Sequence, residues 1–126
     1  MCGIFGISQS KLKPINFDNI LKDIKIYVDT SQKRGSDTFG LSFKLEDEII
    51  VFKSNEKPSE AIQKKNYKEF LGKFLKNKIN KNLIMIGQTR LVTNGSKFSY
   101  FNNQPLETEN IVGVHNGIFA NLEEEK

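Results

Sequence analysis

A cysteine stands at the second position of this chain, where one residue can provide two reactive groups. Methionine is readily removed when the next residue is small, so loss of Met1 would leave Cys2 with a free α-amine. An α-amino group titrates at a pKa of about 7.7–8.0 and can accept the proton of the neighbouring thiol near neutral pH. Cys2 would then be both nucleophile and base, without a histidine partner. The competing interpretation is a small buried residue at the start of a strand.

The counts of other residue types exclude several kinds of site. The 126 residues include one Cys and one His, too few for a Cys/His metal centre or an internal disulfide. We therefore expect a reducing, cytoplasmic setting and no metal or organic cofactor. The longest apolar runs, Ile49–Phe52 and Leu83–Ile86, are strand-sized, so no membrane span is expected. The N-terminus also lacks the basic leader of a secretory signal.

The basic residues are mostly dispersed lysines. The net charge is +4, from 19 basic and 15 acidic residues. A nucleic-acid binder would more often concentrate its cations on a stripe with interleaved aromatics. The Lys-rich stretch Lys64–Lys81 is therefore interpreted as a solvated helix face. Arg34 and Arg90 are the only arginines, both in Gly-containing segments, where a planar guanidinium can make bidentate contacts.

The elements that must position these residues follow from the hydrophobic pattern, which predicts one domain with a layered α+β or α/β arrangement. In chain order they are a buried strand at Cys2–Ile7, a helix at Phe17–Asp29 capped by Asn16 or Asp18, a hairpin of Phe39–Leu45 and Ile49–Phe52, a helix at Ser59–Asn77, and strands at Leu83–Ile86 and Ile111–Val114. The dipeptide Asn116-Gly117 predicts a tight turn. Ile118 and Phe119 then resume the apolar pattern, and a further helix is predicted over 121–126.

Four segments, taken together and in order, resemble the motifs of one known family. They are Cys2-Gly3-Ile4-Phe5-Gly6, Arg34-Gly35-Ser36-Asp37-Thr38-Phe39-Gly40, Gly87-Gln88-Thr89-Arg90-Leu91-Val92-Thr93-Asn94-Gly95, and Asn103-Gln104-Pro105 with His115-Asn116-Gly117. The family is the class II glutamine amidotransferases, whose glutaminase domain is an Ntn hydrolase. The resemblance implies that residues 1–126 are the N-terminal part of a single glutaminase domain. Its four-layer αββα sandwich would be incomplete at the C-terminus, and any synthase domain would lie beyond the chain.

The resemblance also implies the catalytic roles. Cys2 would attack the side-chain amide of L-glutamine and form a γ-glutamyl thioester. Asn116 and Gly117 would donate to the oxyanion, which requires two donors that converge on one point. For Asn116-Gly117 alone, an ordinary hairpin turn is the simpler interpretation. No nucleic acid or membrane partner is expected.

Substrate-binding roles are implied for Arg90, Thr93, Asn94 and Gly117. The planar fork of Arg90 suits the substrate α-carboxylate, although a surface ion pair is the ordinary alternative for an isolated arginine. The carboxylate that would bind the α-ammonium is expected beyond residue 126.

Structural roles are expected for Arg34, Gly35, Asp37, Gly40 and His115. Arg34 and Asp37 are expected to pair and so hold the loop beneath the nucleophile. Two positions depart from the family pattern: Gln88 stands where the family usually has His, and Phe39 where Ala is common.

The resemblance is closest to the hexosamine-forming branch, the glutamine–fructose-6-phosphate aminotransferases. It implies a sugar-isomerase-like synthase domain, in the same chain or as a partner, which uses the ammonia to aminate a phosphosugar. The ammonia acceptor, the oligomeric state and the activity of the isolated chain stay open. The alternative is a catalytically silent binding or regulatory module that keeps the sheet but does not turn over glutamine.

Overall fold

The computed structural model describes residues 2–75, 80–92, 96–100 and 102–117. Two helical segments interrupt the strands along these ranges. In chain order the elements are β1 (Gly3–Gln9), α1 (Phe17–Ser31), β2 (Thr38–Leu45), β3 (Glu48–Ser54), α2 (Pro58–Ala61), α3 (Lys65–Leu75), β4 (Leu83–Arg90), β5 (Leu106–Glu107) and β6 (Val112–Gly113).

An antiparallel four-stranded sheet in the order β1-β4-β2-β3 forms the centre of the fold. Strand β4 lies between β1 and β2, with Gly3 opposite Thr89 and Thr38 opposite Arg90. This register gathers the start of β1, the start of β2 and the end of β4 at one end of the sheet. The antiparallel sheet with segregated helices confirms the α+β class. Short strands β5 and β6 pair separately.

Helix α1 packs against one face of this sheet and begins at a side-chain cap. Asn16 Oδ1 accepts a hydrogen bond from Asn19 N at 3.0 Å, a cap that stabilises a helix by about 1 kcal/mol. The apolar residues Ile20, Ile24 and Val28 are spaced by four and buried, as expected for an amphipathic helix. They share one core with the sheet residues Phe39, Leu41, Phe43, Leu83 and Met85.

Helix α3 packs on the same face through aromatic side chains. Phe70 lies against Phe52 with ring centroids 5.3 Å apart, and Phe74 lies against Phe43 at 6.0 Å. Such tilted pairs contribute about 0.5–1.5 kcal/mol beyond the area that they bury. The opposite side of the helix carries lysines, and Lys65 pairs with Glu69 at the surface.

The second face of the sheet is covered only in part. Side chains alternate between the faces of a strand, so Gly40, Gln88 and Arg90 lie on the face opposite the helices. The loop before β5 covers Gly40. Elsewhere on this face the large apolar strand residues Ile4 and Ile84 remain 45% and 48% exposed.

Several predicted elements are confirmed, but one segment predicted as a single helix forms two helices. The capped helix α1 and the β2–β3 hairpin are present. The helix predicted over Ser59–Asn77 is broken, because α2 ends at Ala61 and α3 begins at Lys65. Between them, the Gln63 and Lys64 amides donate to carbonyls three residues back, as in a 3₁₀ turn. The polar run 63–66 offers no apolar side chain to hold a regular helical turn on the sheet.

The strand predictions need three further corrections. Strand β1 is buried on one face only, since its exposure alternates residue by residue. Strand β4 continues past Ile86 to Arg90, and the strand predicted over Ile111–Val114 is reduced to Val112–Gly113. The predictions for 118–126 fall outside the described residues. Among the described helices, none combines the length and apolar character needed to cross a bilayer.

Candidate active site

The fold brings the two ends of the described chain together at Cys2. The backbone nitrogen of Cys2 donates a hydrogen bond to Asn116 Oδ1 at 3.1 Å, although the two residues are 114 positions apart. If Met1 is removed, this nitrogen becomes the α-amine. The Asn116 side-chain oxygen therefore holds the nitrogen that the sequence predicts as the base. The same side-chain amide carries Nδ2, a hydrogen-bond donor.

The thiol of Cys2 lies at the end of β4. Cys2 Sγ donates to the Leu91 carbonyl at a distance of 3.8 Å, the range of a weak sulfur hydrogen bond. Cys2 is half-buried, and His115, Asn116 and Gly117 beside it are exposed. Within the described part of the chain, the residues beside Cys2 are thus open to solvent.

Arg90, the predicted carboxylate ligand, ends β4 on the second face of the sheet. It is only 7% exposed, and its Nη1 donates to Asn103 Oδ1 at 2.9 Å. Asn103 is in turn held by a hydrogen bond from its Nδ2 to the Lys97 carbonyl at 2.6 Å. The guanidinium is therefore fixed by a side chain from the covering loop. The surface ion pair considered for Arg90 does not fit this burial.

The loop before β2 holds the backbone that follows Arg90. Asp37 N donates to the Arg90 carbonyl at 2.9 Å, and Val92 N donates to Asp37 Oδ2 at 2.8 Å. A Cβ at Gly35 would lie 2.6 Å from Leu91 N, so only glycine allows this approach. The loop before β2 therefore holds in place the backbone at Leu91, whose carbonyl contacts the Cys2 thiol.

The predicted Arg34–Asp37 ion pair is wrong. Among the described residues no such pair forms, and the Asp37 carboxylate accepts the Val92 amide proton instead. Arg34 is exposed, and its backbone nitrogen donates to the Ser31 carbonyl in the turn after α1. Arg34 stands in the exposed turn, whereas Asp37 directly precedes β2, where its carboxylate is within reach of the Val92 amide.

Gly40 allows the covering loop to lie directly on the sheet. A Cβ at this position would overlap the Gln104 carbonyl oxygen and lie 2.7 Å from Pro105 Cδ. The Gln104–Pro105 peptide is cis. The close packing of Gln104 and Pro105 on Gly40 fixes the loop that carries Asn103. Asn103 in turn binds Arg90.

Two glutamines contact the backbone of His115. Gln88 Nε2 donates to the His115 carbonyl, and Gln104 Oε1 accepts from the His115 amide, both at 2.5 Å. The sequence motifs contain both glutamines but did not predict these contacts. No periodicity signals them, because they join a strand and a loop through side chains of ordinary polar type. Thr93 and Asn94, predicted as substrate contacts, lie outside the described residues.

One cavity and two shifted pKa values lie away from Cys2. The cavity, of about 640 Å³, lies between α1 and the segment of α2 and α3, with Leu21, Tyr67 and Leu71 in its lining. Burial raises the pKa of Tyr67 there. Near β3, burial lowers the pKa of Lys53, partly offset by Glu107. The described residues contain no group of three or more His, Cys, Asp or Glu side chains suited to a metal.

No model of a protein family, no curated protein and no solved structure matches this chain. The likeness to glutaminases therefore depends on the four sequence segments and on the contacts described above.

Proposed function

We propose that this chain is the N-terminal part of an Ntn-type glutaminase domain that hydrolyses L-glutamine to glutamate and ammonia. The observation that carries the proposal is the 3.1 Å hydrogen bond between the Cys2 nitrogen and Asn116 Oδ1. The resemblance assigns the roles of nucleophile and base to Cys2 and the role of oxyanion donor to Asn116. A chance likeness of separate short motifs would not require that they meet in space.

The proposed reaction begins with removal of Met1. The Cys2 α-amine takes the thiol proton, and the thiolate attacks the side-chain amide carbon of glutamine. Asn116 Nδ2 and the Gly117 amide donate to the tetrahedral oxyanion. When the C–N bond breaks, the α-ammonium returns its proton to the leaving ammonia. Water then attacks the γ-glutamyl thioester, with the amine again as base, and releases glutamate and the thiol.

Arg90 is proposed to bind the substrate α-carboxylate. Arg90 is the last residue of β4, which pairs with β1, the strand that follows Cys2. Its Nη1 donates to Asn103 Oδ1, and this hydrogen bond orients the planar guanidinium. Hydrogen bonds to a charged group contribute about 1.5–3 kcal/mol each. A guanidinium that is already held loses less rotational freedom when the substrate binds. Thr93, Asn94 and Gly117 complete the proposed substrate contacts.

The finer fold proposal is the four-layer αββα sandwich. Its support is the second face of the sheet, where the strand residues Ile4, Ile49 and Ile84 are each more than two-fifths exposed. Exposed large apolar side chains on a sheet favour packing against another layer. For the hexosamine-forming branch, the ammonia would be used by a sugar-isomerase-like synthase domain to aminate a phosphosugar.

Glutamate release by the purified chain tests the proposal, with Cys2→Ser as the matched variant. Serine is nearly isosteric, yet its hydroxyl is a far weaker nucleophile near neutral pH. We expect glutamate release that depends on chain concentration and falls to background in Cys2→Ser. Equal release by both proteins would contradict the proposal, as would a wild-type Cys2 that neither releases glutamate nor reacts with a glutamine-mimicking electrophile.

A catalytically silent binding module is the second candidate. The observation that favours it is the exposure of His115, Asn116 and Gly117, which leaves the site less enclosed than most small-molecule sites. A silent module would bind glutamine, detected by calorimetry, without releasing glutamate. Saturable binding with no turnover would support it over the enzyme.

A further inference from the structure

The backbone of His115 is held on both of its hydrogen-bonding sides by glutamine side chains. Gln88 Nε2 donates to the His115 carbonyl at 2.5 Å, and the His115 amide donates to Gln104 Oε1 at 2.5 Å. The orientations of both side-chain amides follow from chemistry, because a carbonyl can only accept and an amide N–H can only donate. We call these two contacts the glutamine clamp.

The clamp lies directly before the proposed oxyanion donors. Asn116 follows His115 and contacts the Cys2 nitrogen through Oδ1, and Gly117 comes next. Gln88 pairs with Ile4 in the sheet, two residues from Cys2, so one end of the clamp is anchored beside the nucleophile. The other end, Gln104, is anchored on Gly40 of β2. The peptide before Asn116 is thus tied to β4 through Gln88 and to β2 through Gln104.

Stability alone does not account for Gln88. The side chain is 1% exposed, and its Oε1 is buried without a hydrogen-bond partner among the described residues. Burying a half-satisfied amide is unfavourable compared with an apolar residue. On the same face of β4, Ile84 and Ile86 are apolar, and only Arg90 at the strand end is charged. The one hydrogen bond that the Gln88 amide makes within the described part of the chain goes to His115.

We propose that Gln88 and Gln104 are positioning residues that hold the oxyanion donors of Asn116 and Gly117 in place. The proposal rests on the glutaminase function proposed above and deepens it. Neither glutamine is placed against the substrate. Because the donors act mainly in the transition state, loosening them should lower kcat and leave the KM for glutamine nearly unchanged.

An opposed pair of isosteric variants tests the clamp. Gln88→Glu replaces the donor to the His115 carbonyl with an acceptor, whereas Gln104→Glu keeps the acceptor that the His115 amide uses. We expect kcat to fall by about 10- to 100-fold in Gln88→Glu, the range for misplaced catalytic groups. In Gln104→Glu the loss of kcat should be clearly smaller than in Gln88→Glu, since the acceptor that the His115 amide uses is preserved.

Gln88→Met and Gln104→Met show whether a loss of kcat comes from the lost hydrogen bond or from the charge that glutamate introduces. Methionine keeps the length of the side chain and cannot make either hydrogen bond. Rates are expressed per Cys2 that reacts with a glutamine-mimicking electrophile, so unfolded chains do not count. Both variants should lose kcat with KM nearly unchanged. Unchanged kcat in both Met variants, or an equal loss in Gln104→Glu and Gln88→Glu, would overturn the proposal.

Amide hydrogen exchange gives a readout that does not depend on activity. The His115 amide should exchange faster in Gln104→Met and keep its protection in Gln104→Glu. If the wild type neither hydrolyses glutamine nor reacts with the electrophile, the function fails while this measurement still supports the clamp. Unchanged exchange in Gln104→Met overturns the clamp whatever the activity.

Discussion

Asn116→Asp separates the two roles proposed for one side chain. In the structure Asn116 Oδ1 accepts from the Cys2 nitrogen at 3.1 Å, and Nδ2 is the proposed oxyanion donor. Aspartate keeps the acceptor and removes the donor, with almost no change in shape. Loss of one oxyanion donor costs about 2.7–4 kcal/mol of transition-state stabilisation, or about 100- to 1000-fold in kcat.

The same variant should also move the pH dependence of the reaction. A carboxylate beside the α-amine favours the protonated amine and so raises its pKa. The base is then free only at higher pH, and the acid limb of the pH–rate profile shifts upward. Asn116→Ala removes both contacts, so it should lose the rate without this upward shift.

The assay is the steady-state release of glutamate across pH, expressed per reactive Cys2. Asn110→Asp is the control, because it introduces the same charge in the exposed turn between β5 and β6. We expect the control to stay within about 2-fold of the wild type, as is usual for a surface substitution. If Asn116→Asp keeps its kcat within about 3-fold of the wild type, Asn116 is not an oxyanion donor.

Three further predictions concern binding and stability. Arg90→Lys should raise the KM for glutamine by about 10- to 100-fold, measured by initial rates, because an ammonium cannot replace a bidentate fork. Gly40→Ala should lower the melting temperature, since overpacking costs about 1–3 kcal/mol and the new methyl meets the Gln104 carbonyl. Tyr67→Phe should raise the pH of alkaline unfolding. Burial raises the pKa of Tyr67 in the folded chain, so stability falls above about pH 10, by up to about 1.4 kcal/mol per pH unit.

Each of these predictions has its own control. Gly72→Ala is matched to Gly40→Ala, because nothing lies within 4 Å of a Cβ at this helical position, and it should not destabilise the chain. An equal melting temperature for the Gly40 variant and the wild type would contradict the close approach. Arg90→Lys with an unchanged KM would remove Arg90 from the substrate site. If the midpoint pH of alkaline unfolding is the same in Tyr67→Phe and the wild type, the ionisation of Tyr67 does not limit the stability of the fold.

The elements that could be predicted are those whose signal is local. Helix α1 carries a cap at Asn16 and apolar residues at helical spacing, and the β2–β3 hairpin has two apolar runs around an acidic turn. Strand β4 was predicted too short, because Gln88, Thr89 and Arg90 are polar yet buried. Gln88 and Arg90 are buried beneath residues far along the chain, His115 and Asn103, which a local pattern does not contain.

The same distinction applies to the site. The types of Cys2, Arg90 and Asn116 suggested chemistry, because each can be matched to a requirement of amide hydrolysis. The support around them was less predictable. The expected Arg34–Asp37 pair does not form, and the contacts of Gln88 and Gln104 with His115 depend on how a strand and a loop meet. Complementary charge or polarity in a sequence does not determine the direction of a side chain.

The most direct measurement is the intact mass of the chain before and after treatment with an electrophile that mimics glutamine. The glutaminase account predicts that Met1 is absent and that one adduct forms on Cys2. Excess glutamine should protect Cys2, and Arg90→Lys should weaken that protection. A chain that retains Met1, or a Cys2 that stays unmodified while an ordinary thiol reagent still labels it, would contradict the account.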